Sequence, residues 1–137
     1  LKVSGELRNL WQKPVHSALV EKLISYVEDN YRDYDISLKI LAGKMSVSPE
    51  HAGRGFKKET GRFFSSYLNE VRIRHACEML RGTILPANDI ALKVGYLNQN
   101  YFYTKFKKYT GMGPTEFRST REMESSIRSK NLTESFF

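Results

Sequence analysis

The chain has a single cysteine, Cys77, which excludes an intramolecular disulfide and any cysteine cluster for zinc. A reducing compartment follows. No apolar run approaches the roughly 20 residues needed to cross a bilayer, and the N-terminal stretch lacks the basic-then-apolar pattern of a secretory signal. The expected location is therefore the cytoplasm, without membrane association. No convincing strand exists, so no glycine-rich phosphate loop follows one. His16, His51 and His75 fall on separate elements, and no pair has the i, i+4 spacing that holds a metal on a helix. Cys77 lies on the apolar side of a long helix, where a thiol is inert packing. Catalysis is not expected, nor is any cofactor or metal. An initiating methionine is missing too: the chain begins with Leu1, as a piece cut from a longer protein would, with its N-terminal domain left behind.

Positive charge is abundant. Twenty-two lysines and arginines against fifteen carboxylates give a formal net charge of +7 and a pI near 9.5. That balance suits a polyanionic partner, although a basic surface can also be merely solvated. The 137 residues are enough for one domain with a modest core, or for two small subdomains sharing a linker.

The most informative stretch runs from Asn98 to Gly111. Asn98 suits a helix N-cap, Phe102, Phe106 and Tyr109 recur at helical spacing, and Gly111 is placed to end the helix in a left-handed conformation. The other face carries Gln99, Asn100, Tyr103, Thr104, Lys107 and Lys108, a set of hydrogen-bonding and cationic groups with no carboxylate. A helix from about Pro86 to Val94 precedes it, separated by a tight turn at Gly95. This is the pattern of a helix-turn-helix, whose second helix lies in the DNA major groove; an ordinary helical hairpin is the alternative for one such pattern alone.

The pattern occurs twice. Ala42-Gly43-Lys44-Met45 matches Ala91-Leu92-Lys93-Val94, and Phe56-Lys57-Lys58-Glu59-Thr60-Gly61 matches Phe106-Lys107-Lys108-Tyr109-Thr110-Gly111, with a one-residue slip between. A repeat of this kind marks a duplicated supersecondary unit.

Residues 1–16 read as a linker carrying Leu7, Leu10, Trp11 and Val15, after which Val20, Leu23, Ile24, Val27 and Tyr31 share one helical face. Ser37 is placed to cap a helix bearing Leu38, Leu41, Ala42 and Met45. Ser48 caps another that has Pro49 at its first position, where a missing N–H costs nothing. That helix turns Ala52 and Phe56 inward and Glu50, His51, Gly53, Arg54, Lys57 and Lys58 outward. Gly53 and Gly55 each weaken it by about 1 kcal/mol relative to alanine, so it depends on docking.

From Arg62 to Arg81 comes the longest helical run. Phe64, Tyr67, Leu68 and Val71 cluster on one side; Ile73, Ala76, Cys77 and Leu80 cluster on the opposite side. One helix therefore serves two cores. Gly82 is read as its end and Pro86 as the start of the next helix. After Gly113-Pro114, Phe117 should anchor a last short helix, and residues 119–137 form a polar tail with Ile127, Leu132, Phe136 and Phe137 too scattered to define a face.

At this point the chain resembles the C-terminal DNA-binding domain of the AraC/XylS family of bacterial transcription regulators. The residues that carry the resemblance include Ser37-Leu38 through Ala42, Ser48-Pro49, Phe56 to Gly61, Tyr67-Leu68, Arg72-Ile73 with Ala76, Ile90-Ala91, Val94-Gly95-Tyr96, Asn100-Tyr101-Phe102, Phe106-Lys107-Lys108, Thr110-Gly111, Pro114 and Phe117-Arg118. Ala52 and Gly55 depart from it, standing where larger apolar residues are usual, as does Thr104, where arginine is common. The resemblance implies an all-α fold of about seven helices: two helix-turn-helix subdomains, at about 17–61 and 82–118, joined by a linker helix at 62–81 and binding successive major grooves. A role in transcription goes with it, as an activator or a repressor, with RNA polymerase as a partner at a promoter. The absent N-terminal domain would be a receiver or a small-molecule-binding barrel, and the isolated domain a monomer.

On this reading Lys57, Lys58, Lys107 and Lys108 neutralise phosphates. Gln99 or Asn100 suits adenine, Arg54 guanine, and Thr104 or the Tyr103 ring a thymine methyl, with phosphate as the alternative partner for the Tyr103 hydroxyl. Glu50 suits cytosine N4 or the positive end of its own helix, and His51 a surface or phosphate-facing place. Two rivals belong to other classes: a helical module docking an acidic protein, and an enzyme whose activity lies in the missing part of the chain.

Overall fold

The computed structural model describes residues 15–120 and 122. The expected linker up to residue 14, including Trp11, and nearly all of the 119–137 tail lie outside the described residues. Helices α1 (Ala18–Asn30), α2 (Leu38–Lys44), α3 (Pro49–Thr60), α4 (Phe64–Gly82), α5 (Ala87–Lys93) and α6 (Gln99–Thr110) follow in order, and residues 114–120 form α7. Among the described residues there is no strand. The fold is the all-α pair of helix-turn-helix units expected, joined by the long α4.

Local chemistry places most of the boundaries. The side chains of Ser17, Ser37, Ser48 and Asn98 accept hydrogen bonds from the backbone N–H groups of Val20, Ile40, His51 and Tyr101, so four helices begin at a capped residue. Pro49 fills the first turn of α3. Helices α3 and α6 both stop at a left-handed glycine, Gly61 at φ 76° and Gly111 at φ 83°. Two boundaries refine the sequence reading. Gly82 is the last residue of α4, as read, but the helix is closed by its C-cap Thr83, whose hydroxyl donates to the Met79 carbonyl at 2.7 Å, and not by a left-handed residue. Pro86 is the N-cap of α5 rather than part of it.

Helix α4 runs for 19 residues, about 28 Å at 1.5 Å per residue. Phe64, Leu68 and Val71 are buried on the side of the first unit, with the Phe64 ring edge-on to Phe56 at 5.6 Å between centroids. Ile73, Ala76 and Leu80 are buried on the side of the second, and α4 packs against α1 and α3 as well as α5 and α6. Tyr67 and Cys77 are half-buried rather than central. Burial pushes the Cys77 thiol up, which suits packing and not reactivity. Phe117 anchors α7 through an edge contact with Phe106 at 5.5 Å.

Two arginines tie this framework together. Arg72 of α4 is 7% exposed; its Nε donates to the Tyr31 carbonyl and its NH2 to that of Asp33, both at 2.8 Å. Arg118 of α7 donates to the carbonyls of Leu80, Thr83 and Leu85 at 3.1, 3.3 and 2.6 Å. Each arginine thus seizes the loop that follows the first helix of its unit, α1 in one case and α4 in the other. Arg72 also lies over the Tyr96 ring at 5.3 Å, while Tyr96 donates its hydroxyl to the Asn69 side chain at 2.6 Å. The loop of the first unit therefore abuts the turn of the second.

That contact explains Gly95. Its counterpart in the first turn, Ser46, also has positive φ, at 58°, so a left-handed residue is needed in both turns. Only in the second would a Cβ meet backbone, the Tyr31 oxygen at 2.6 Å, and the Arg72 Nε at 2.8 Å. Gly95→Ala should accordingly cost about 2–4 kcal/mol through strain and displacement of this junction. A urea midpoint equal to that of the parent would show that the junction yields freely. At Gly55, by contrast, a Cβ would sit 3.9 Å from Leu19 Cδ2 in ordinary contact. Gly55→Ala should raise stability by up to about 1 kcal/mol in the same measurement.

Candidate nucleic-acid interface

Helices α3 and α6 have 12 residues each and end in the same way. Thr60 and Thr110 donate their hydroxyls to the carbonyls of Phe56 and Phe106, each at 2.7 Å, and Phe56, Phe102 and Phe106 have no exposed surface. Burial of these rings turns the opposite face outward by helical geometry. Glu50, His51, Arg54, Lys57 and Lys58 are exposed on α3, as are Gln99, Asn100, Thr104, Lys107 and Lys108 on α6. Ten of the twelve anticipated side chains thus fall on two solvent faces of matching helices.

Their side chains differ in freedom. Lys57 Nζ donates to the Gly61 carbonyl at 3.0 Å and sits 4.6 Å from the Phe63 ring centroid, and Lys108 lies 5.6 Å from that of Tyr109. Among the described residues, Arg54, Lys58, Gln99, Asn100 and Lys107 have no recorded side-chain hydrogen bond or ion pair, which leaves their donors and acceptors for an external ligand. Thr104 spends its hydroxyl on the Asn100 carbonyl at 2.9 Å, so its methyl is what it offers outward.

Two residues depart from the expected outward set. Gly53 is half-buried, and a Cβ there would point at Leu38 Cδ2 of α2 at 3.2 Å. Helix α2 crosses α3 at this point, so the position belongs to the helix crossing rather than to the free face. Tyr103 is half-buried with its ring tilted against Phe102, and its hydroxyl donates to the Asn88 side chain at 2.8 Å. The hydroxyl is already engaged, which removes the motive for a phosphate contact.

Gly53 and Tyr103 occupy the same place in the repeat, three residues before Phe56 and Phe106. Where the Tyr103 ring fills the second unit, the first has a groove of about 890 Å³, walled by Ile36, Leu38, Phe63, Phe64 and Leu68 and edged by Arg54 and Lys58. The aromatic in α6 and its absence in α3 were both in the sequence. Their inward direction was not, because it depends on the angle at which α2 and α5 cross the recognition helices.

The same arrangement recurs elsewhere. Residues 41–120 match the helix-turn-helix domain family. The C-terminal domain of AraT, a response regulator from Geobacillus stearothermophilus, is 36% identical with a TM-score of 0.74, over 76% of this chain and 86% of that one. The chain belongs to the AraC-type helix-turn-helix family. The transcriptional regulatory protein YesN of Bacillus subtilis (strain 168) is 38% identical over 105 residues, which are 74% of this chain. The chain spans only 28% of YesN. The DNA-binding domain of AdpA, solved in complex with a target DNA, shares the fold with a TM-score of 0.73 at 17% identity, over 79% of this chain and 96% of that one.

Within the AraC-type fold, Tyr103 acts here as a strut between α6 and α5. Tyr103→Phe should cost about 0.5–1.5 kcal/mol of stability for the lost hydrogen bond to Asn88 and leave the base preference unchanged. A selection from random duplexes in which Tyr103→Phe altered the preferred bases would reassign the hydroxyl to DNA.

Proposed function

We propose that this chain is the DNA-binding output unit of a bacterial transcription regulator, reading duplex DNA with α3 and α6 and having no catalytic activity of its own. The observation that carries this reading is the pair of equal, capped helices on one rigid rod, each with an outer face rich in cations and amides. Such faces match what duplex DNA offers. Lysines in the last turns meet phosphates and supply sequence-independent affinity. The side chains of the first turns meet base edges, with Gln99 or Asn100 on adenine, Arg54 on guanine and the Thr104 methyl on thymine. Glu50, in the first turn of α3, favours the helix N-terminus and accepts from cytosine N4, and His51 beside it faces a phosphate. A net charge of +7 steers the encounter. That relatives are named as regulators supports a role in transcription, with RNA polymerase met at the promoter and the cytoplasm as the working compartment.

The similarity to AraT, a response regulator, favours a receiver over a ligand-binding barrel as the domain preceding residue 16, with the described unit a monomer by itself. An acidic protein partner would need the cationic faces but not the amides.

Gln99→Ala or Asn100→Ala should cost about 1–3 kcal/mol on the cognate duplex and relax one or two base positions. The pair Lys107→Ala and Lys108→Ala should weaken cognate and scrambled duplexes alike and flatten the salt dependence by roughly one unit per lost phosphate contact. Titrations of both duplexes across a salt series separate the two effects. Equal binding of cognate and scrambled DNA by the parent chain would overturn the reading.

The rod adds a geometric expectation. With about one helical turn, or 34 Å, between the two groove segments, inserting about five base pairs between the half-elements should reduce binding to that of one unit. An insertion of about ten should not restore it. Full binding after the longer insertion would mean that the two units move independently.

A further inference from the structure

Glu59 is a carboxylate in the wrong place for DNA. It sits in the last turn of α3, beside Lys57 and Lys58, where a negative charge opposes the helix dipole and repels phosphate. The structure shows what it does instead. Its Oε1 accepts the Ser17 backbone N–H at 2.6 Å and its Oε2 accepts the Ser17 hydroxyl at 2.7 Å, with His16 Nδ1 at 3.8 Å from Oε1. Those two hydrogen bonds hold the Glu59 carboxyl below the usual carboxylate range. Ser17 is at the same time the N-cap of α1. One side chain therefore joins the end of the first recognition helix to the point where the chain enters the fold.

The second unit repeats the tie with different chemistry. Tyr109 stands where Glu59 stands in the first repeat, and its hydroxyl donates to the Ser66 carbonyl at 3.3 Å. Ser66 corresponds in turn to Ser17 when α4 is laid on α1. The two ties differ in where they lead. Tyr109 fastens α6 to the first turn of α4, the rod shared by both units. Glu59 fastens α3 to residues 16 and 17, the junction with whatever precedes them in the chain.

We propose that Glu59 is a positioning residue through which the segment entering α1 sets the first recognition helix on DNA, while the corresponding tie of the second leads only to the rod. Upstream events then act on one half-element and not on both. This rests on the reading of α3 and α6 as DNA-binding helices.

The test uses the full chain with Glu59→Ala, Glu59→Gln, Ser17→Ala and the double variant Glu59→Ala with Ser17→Ala. Each is titrated on duplexes with both half-elements, with only the first, and with only the second. Glu59→Ala and Ser17→Ala should each lose about fivefold to tenfold on duplexes containing the first half-element, with no loss where only the second is present. The double variant should lose on the first half-element about what Glu59→Ala loses, because Ser17→Ala removes only the hydroxyl half of a tie that Glu59→Ala removes whole. Glu59→Gln, which keeps an acceptor for the Ser17 N–H, should recover part of the loss. Ser37→Ala, which removes a cap in the same unit without touching the tie, separates positioning from stability and should leave the half-element pattern of the parent.

A pure charge effect has the opposite sign: Glu59→Ala would tighten every duplex and Ser17→Ala would be silent, and that result overturns the proposal. So does an equal loss on both half-elements. If the parent chain itself fails to tell cognate from scrambled DNA, the DNA reading fails. If it discriminates and the variants match it on the first half-element, only the role of Glu59 falls.

Discussion

The buried guanidinium of Arg72 is the constraint on which the relative placement of the two units depends. A charge taken out of water is costly unless its donors are met, and no carboxylate is recorded as its partner among the described residues. Two backbone carbonyls, those of Tyr31 and Asp33, and the face of Tyr96 do the work instead. Burial lowers the pKa of Arg72, with the Tyr96, Tyr101 and Asp33 side chains opposing that shift. Moving α4 along α1, or turning the second unit away, would strand this group. Apolar packing alone tolerates small slides, whereas directed hydrogen bonds to fixed carbonyls do not. Arg118 repeats the device at the C-terminal end of α4, so the rod is registered by polar bonds at its middle and at that end.

Much of this was legible in the sequence. The serine and asparagine caps, the two terminating glycines, the inward phenylalanines and the divided apolar faces of α4 are local features, and local chemistry decides them. Arg72 and Asn69 were not foreseen. A helical-period reading assigns polar residues to the surface, and nothing near position 72 announces carbonyls about 40 positions earlier. The reason for Gly95 was hidden for the same cause: a turn permits glycine, but only the approach of the Tyr31 oxygen demands it.

The interface was legible in outline and not in detail. Facing away from a buried ring predicts exposure well for positions directly opposite it, such as Arg54 and Thr104. It fails at the flanks, where a crossing helix covers what the period leaves open. Gly53 and Tyr103 lie on that flank in both repeats, and each was expected outside.

From this flank comes the main difference between two units with nearly the same backbone. In α6 the Tyr103 ring, bonded to Asn88, fills the space against α5 and fixes the helix that carries Gln99 and Asn100. In α3 the glycine leaves that space open beneath Arg54, and the helix relies on Phe56, Ala52 and the Glu59 tie for its position. A helix held on both flanks presents its amides at a defined angle, which base reading by hydrogen bonds requires. A helix with one open flank can adjust to phosphates, whose contacts depend weakly on angle. The two units thus differ in how firmly their helices are held on this flank, and the difference follows from a tyrosine in one repeat and a glycine in the other.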